Sequence, residues 1–165
     1  MKSCRILLAG CLSAWWLAAA SAHANSITVT NTNDGGRGSL RQAIADANDG
    51  DTIDARSVVG SVQLSSGELP VNKNLIINGP GADKLSVENT RSSRVFEIGA
   101  DKVVAISRLA INSGEAVWGG GIYNAGILEI TRCSIRGNES SAVRGRGLGG
   151  GIYNASGAEV AIIDS

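Results

Sequence analysis

Short apolar bursts, alternating with polar residues in some and continuous in others, recur down most of the chain. They are Val62-Gln63-Leu64, Leu75-Ile76-Ile77, Leu85-Ser86-Val87, Val95 to Ile98, Val103 to Ile106, Leu109-Ala110-Ile111 and Leu128-Glu129-Ile130, with Ser26 to Thr30 ahead of them. A period of two puts alternate side chains on opposite faces and predicts strands. Asn78-Gly79-Pro80-Gly81, Ser113-Gly114 and Gly137-Asn138 stand between them as chain-turning sequences. A helical period occurs once. Ser39 is placed as an N-cap with Gln42 three residues later as a capping box, Leu40, Ile44 and Ala47 fall on one face, and Asn48-Asp49-Gly50 ends the run. The pattern predicts one short amphipathic helix followed by many strands, each too short to bury its apolar side alone.

An internal repeat says how those strands bury it. Gly119-Gly120-Gly121-Ile122-Tyr123-Asn124-Ala125 recurs as Gly149-Gly150-Gly151-Ile152-Tyr153-Asn154-Ala155, seven identities at an offset of 30. After a two-residue slip, Leu128 and Ile130 are answered by Val160 and Ile162. A fixed period in the range of about 20–50 residues, carried by strands, predicts a solenoid in which each coil covers the next. Equivalent side chains then stack about 4.8 Å apart, so Ile122, Tyr123 and Asn124 are expected to ladder onto Ile152, Tyr153 and Asn154. The glycine triplets are expected at corners where a Cβ would meet the neighbouring coil. Trp118 reads as a surface cover rather than a ligand platform.

The start of the chain concerns the compartment. Lys2 and Arg5 precede an apolar stretch from Ile6 to Ala20, and Ala22-His23-Ala24 has the small-x-small form that signal peptidase reads. Cleavage is expected after Ala24, with Asn25 as the new N-terminus and export as the consequence. Leu8-Ala9-Gly10-Cys11 resembles a lipobox, but too few apolar residues precede Cys11 for it to be the acylation site. The full chain balances 15 Lys and Arg against 15 Asp and Glu, so removing Lys2 and Arg5 leaves a formal charge of −2. That balance offers no basic field for nucleic acid. Of the three cysteines only Cys133 remains, which excludes an intrachain disulfide.

Ile27-Thr28-Val29-Thr30-Asn31, Gly38 to Ile44, Gly50-Asp51-Thr52-Ile53 and Leu75-Ile76-Ile77-Asn78-Gly79-Pro80-Gly81 together resemble the opening of bacterial right-handed parallel β-helix surface proteins. The Gly-Gly-Gly-Ile-Tyr-Asn blocks are similar to polymorphic outer membrane protein repeats, and Ile135-Arg136-Gly137-Asn138 resembles their hydrophobic-x-x-Asn element. The resemblance covers nearly all of residues 26–165. It implies an all-β, right-handed parallel β-helix of the pectate-lyase-like superfold, closed at its N-terminal end by a short capping α-helix. The organisation expected is a signal peptide over 1–24, an N-terminal strand and capping helix over 25–57, and β-helix rungs over 58–165. Because Ile162-Ile163-Asp164-Ser165 falls within a rung, the sequence is expected to be the N-terminal portion of a longer product, and the open last rung to permit end-to-end self-association.

Enzymes share this architecture, so activity has to be read from residues. Calcium-assisted proton abstraction needs clustered carboxylates and a poised base. Asp49, Asp51 and Asp54 are the close acidic group, and Asp-Gly-Asp is expected to shape a turn rather than hold an ion. The one histidine, His23, leaves with the signal, which removes zinc sets and a base for a serine nucleophile. Cys133 follows an apolar alternation and reads as an interior residue, and Arg144-Gly145-Arg146-Gly147 as a solvated basic loop able to meet acidic glycans. No catalytic, cofactor or metal residue is therefore assigned. The expected role is a non-catalytic, adhesin-like surface or secreted module binding glycans or host and matrix proteins. The alternative is a truncated or degenerate polysaccharide lyase or hydrolase.

Overall fold

A computed structural model of the protein describes residues 24–141 and 147–165. The expected signal peptide therefore lies outside the described residues apart from Ala24, as does all of the basic Arg144–Gly147 loop except Gly147. Within the described residues the chain winds as a parallel β-solenoid. One sheet has six strands in the order β1 (Ser26–Thr28), β2 (Thr52–Asp54), β5 (Leu75–Asn78), β8 (Val103–Ser107), β12 (Ile127–Thr131) and β16 (Glu159–Ile163). A second sheet stacks β3 (Gly60–Leu64), β6 (Leu85–Asn89), β9 (Ala110–Asn112) and β13 (Ser134–Arg136). A third stacks β4 (Leu69–Val71), β7 (Phe96–Ile98), β11 (Ile122–Asn124) and β15 (Ile152–Asn154). A corner pair joins β10 (Glu115–Ala116) to β14 (Glu139–Ser140). All pairings are parallel, with strands from successive coils as neighbours.

Inward-pointing positions ladder along the axis. In the six-stranded sheet Ile27, Ile53, Ile77, Ile106, Ile130 and Ile162 stand in one register row. Val62, Val87, Ile111 and Ile135 form a second row, and Leu69, Phe96, Ile122 and Ile152 a third. Most of these side chains are fully buried, so the core is a column of branched and aromatic groups shared between coils. Pro70 lies in β4, an edge strand of its sheet, where a missing N–H is tolerated.

The expected ladders form. Ile122, Tyr123 and Asn124 pair with Ile152, Tyr153 and Asn154, and Leu128 and Ile130 with Val160 and Ile162. The coil length, however, is not fixed at 30. It is 24 residues from Val103 to Ile127 and 32 from Ile127 to Glu159. Register is held by the strands, and turns of different length absorb the remainder.

The single helix among the described residues, α1 (Leu40–Asp46), closes the N-terminal end. Leu40, Ala43, Ile44 and Ala47 are buried in the common core, and the helix packs on β2 and β4. The capping box is only half made. Ser39 Oγ accepts from the Gln42 N–H at 3.1 Å, but Gln42 Nε2 donates to Asp46 and Ser39 N–H donates to the Gly36 carbonyl. The Gly36 carbonyl takes the place of the glutamine because the preceding turn already brings it within reach. Arg41 ties the helix to the turn below, donating to Asp34 and to the Gly67 and Glu68 carbonyls.

Candidate functional site

The groups weighed for chemistry are held apart. Asp51 is 2% exposed and accepts from the N–H groups of Asn25 and Asn48, both at 2.8 Å; these bonds lower its pKa. Asp49 accepts from Asn74 N–H, and Asp54 from Arg56, whose hydrogen bonds hold Asp54 at about 2. Each carboxylate is spent on separate partners, and among the described residues no group of three His, Cys, Asp or Glu is placed to share a metal. Cys133 is buried in the core, its Sγ 3.6 Å from the Ile106 carbonyl, and burial pushes the thiol pKa up. It is an interior residue, as the alternation around it implies.

The arrangement that does stand out lies on the outer face of the sheet formed by β4, β7, β11 and β15. Its outward row runs Pro70, Glu97, Tyr123, Tyr153 in register. The tyrosine rings stack at 5.6 Å between centroids and 24° between planes. Trp118, which bridges to Leu148 of the next coil, stacks on Tyr153 at 6.1 Å and 26°. The Arg94 guanidinium lies 4.9 Å from the Tyr123 centroid and pairs with Glu68 at 2.8 Å. Burial and the neighbouring Glu97 carboxyl raise the Glu68 pKa against the pull of Arg94. A continuous column of carboxylate, guanidinium and three aromatic rings therefore runs across the coils.

This column is rigid because its feet are. The glycine triplets at 119–121 and 149–151 continue the ladder below the tyrosines, with Gly121 and Ile122 N–H donating to the Gly150 and Gly151 carbonyls at 2.9 Å. Above them, Asn124 is fully buried and donates to Asn154 Oδ1 at 2.6 Å and to the Glu159 carbonyl at 2.8 Å. Asn124 Oδ1 accepts from Gly126 N–H across a tight turn, whereas Asn154 spans the longer Ala155–Ala158 turn to the Ala158 carbonyl. That longer turn is the two-residue slip seen in the sequence.

The tyrosine faces are used on each other, so what the column offers outward is ring edges and Trp118, which is 46% exposed beside Leu148 at 57%. Trp118 thus covers Tyr153 and also leaves apolar aromatic surface in solvent. Glu68, Arg94 and Glu97 carried no signal in the sequence, since nothing repeats around them. No family model, curated protein or solved structure matches the chain at a significant level. Among the described residues no helix is long and apolar enough to cross a membrane.

Proposed function

We propose that the chain is an exported, non-catalytic β-helix module, secreted or held at the cell surface or outer membrane, that binds glycan or host and matrix protein along its flank. On this reading the coils are right-handed, as nearly all parallel crossovers are, and the Gly-Gly-Gly-Ile-Tyr-Asn units are polymorphic outer membrane protein-like repeats on a pectate-lyase-like superfold. The observation that carries it is Trp118, half exposed on a rigid aromatic column beside Leu148. An exposed aromatic that is already ordered gives contact area at little entropic cost, whether to a sugar ring or to a protein. Surface-immobilised glycans and matrix proteins, presented to the purified protein, test this. Trp118→Ala and Tyr153→Ala should weaken capture about tenfold or more, near 1.4 kcal/mol, with the circular dichroism unchanged. Capture that is absent, or indifferent to both substitutions, would refute it.

A further inference from the structure

The sheet of β3, β6, β9 and β13 carries a groove of about 670 Å³ on its outer face, lined by Asp83, Ala110, Asn112, Ser113, Ser134 and Arg136 among others. Loop lengths create it. Six residues, 79–84, separate β5 from β6, whereas two residues suffice between β8 and β9 and between β12 and β13. The longer turn, pinned by Gly79 and Gly81 N–H donating to the Ser107 and Arg108 carbonyls, therefore stands out as a wall beside the shorter corners above it. The floor is the register pair Ala110 and Ser134, and the opposite wall the pair Asn112 and Arg136.

Polar capacity is left unspent in this groove. Asn112 Oδ1 is buried and has no hydrogen-bond partner, which buried acceptors rarely tolerate. Asp83 and Arg136 are both exposed and belong to no ion pair among the described residues, although Asp34, Asp54 and Glu68 each hold an arginine. A cleft of this size, with few convergent polar groups, is the ordinary form of a small-ligand site.

We propose that this groove is a second binding site, for a neutral oligosaccharide lying along the solenoid axis across successive coils. A hydroxyl both donates, which Asn112 Oδ1 can receive once its carboxamide turns toward the groove, and accepts, which Arg136 and the serines can satisfy. Charge decides against an acidic chain. Asp83 and Arg136 line the groove with one charge of each sign, so nothing there recruits a polyanion, and both sit exposed at its solvated rim, where pairing is weak. The site has no aromatic floor, so single-site affinity is expected in the millimolar range.

Amide NMR titration of the ¹⁵N-labelled protein with maltotetraose, cellotetraose, mannotetraose and tetragalacturonate, each to about 20 mM, tests the proposal. At least one neutral tetrasaccharide should shift the Asn112 side-chain amide and the Ala110, Ser113 and Ser134 backbone amides, and tetragalacturonate should not. Asn112→Ala should weaken that binding about tenfold, Ser134→Tyr should abolish it by filling the floor, and Trp118→Ala should leave it unchanged. If either groove variant misfolds, the wild-type shift map alone decides. Shifts confined to Trp118 and Tyr153 would overturn the groove while sparing the flank. Silence from all three neutral sugars, or a preference for tetragalacturonate, would overturn it outright.

Discussion

Gly120 allows the tightest test of how the coils are held together. Nothing about its backbone conformation demands glycine, since it is absent from the positive-φ residues, yet a Cβ there would overlap the Glu139 carbonyl and lie 2.7 and 2.8 Å from those of Gly114 and Gly150. These carbonyls belong to the corner and to the next coil, so relief requires coils to move apart. The hydrogen bonds at risk are Gly120 N–H to Gly149, Gly121 N–H to Gly150 and Val95 N–H to Gly120. At roughly 1 kcal/mol each, with about 1–3 kcal/mol for overpacking, Gly120→Ala should destabilise by about 4 kcal/mol. Gly137 is the control. It has φ 58° but nothing within 4 Å of its virtual Cβ, so Gly137→Ala should cost only about 1 kcal/mol of backbone strain. Urea unfolding followed by far-UV circular dichroism measures both. If Gly120→Ala proves no more harmful than Gly137→Ala, steric exclusion between coils does not explain the triplets.

Other expectations follow from the cap, the carboxylates and the acidic turn. Leu40, 1% exposed under α1, should cost about 2–5 kcal/mol as Leu40→Ala and more as Leu40→Asp, read from the same urea curves. Burial opposes ionisation of Asp34, but hydrogen bonds from Ser66, Arg41 and Ser65 outweigh it and lower its pKa; its contribution is therefore present above about pH 4 and lost as pH falls toward the folded value, and Asp34→Asn should flatten that acid limb. Glu68 has the opposite sign: its raised pKa gives a contribution fully present below about pH 4 and lost as pH rises through the folded value, a decline that Glu68→Gln should remove. With Asp49, Asp51 and Asp54 each turned to a separate partner, calcium should elicit no cleavage of pectate, alginate or chondroitin; unsaturated sugars abolished by Asp51→Ala would restore the lyase reading.

The strands that alternate cleanly were legible because one face of each is buried, and the ladder from 119–125 to 149–155 was legible because stacking identical residues selects identical residues. What escaped the sequence shares a cause. Leu69–Val71 was hidden by Pro70, which an edge strand accepts. The changing coil length was hidden because turns are free to vary while strands hold register. The capping box was read as reciprocal, but its second half depends on a carbonyl supplied by a turn outside the motif. Glu68, Arg94 and Glu97 meet Tyr123 only because three coils bring them together, and the groove beside Asn112 exists only as a difference between loop lengths. Features made by one strand leave a pattern in the sequence; features made between coils leave it only when the coils repeat.

The final coil shows the same rule in energetic form. Val160 and Ile162 occupy the register positions of Leu128 and Ile130, yet they are 38% and 56% exposed where their counterparts are 1% and 0%. The groove between Ile135, Ile152 and Ile162 opens onto the same surface. In the 165-residue polypeptide, β16 therefore presents a free strand edge together with an apolar section of the core, the combination that sheet proteins ordinarily cover. Covering a few hundred Å² of it would contribute several kcal/mol at about 25 cal/mol per Å², enough to drive association of chains at high concentration. We therefore expect this polypeptide to associate through that end, and amide exchange to show protection falling from α1 toward Ser165. Ile162→Lys should suppress the association and leave the α1 end equally protected, because its charge meets the uncovered face and not the buried core. Sedimentation that stays monomeric at every concentration, with β16 as protected as β8, would show that an uncovered coil is stable by itself and that the neighbour above contributes far less than the exposed area implies.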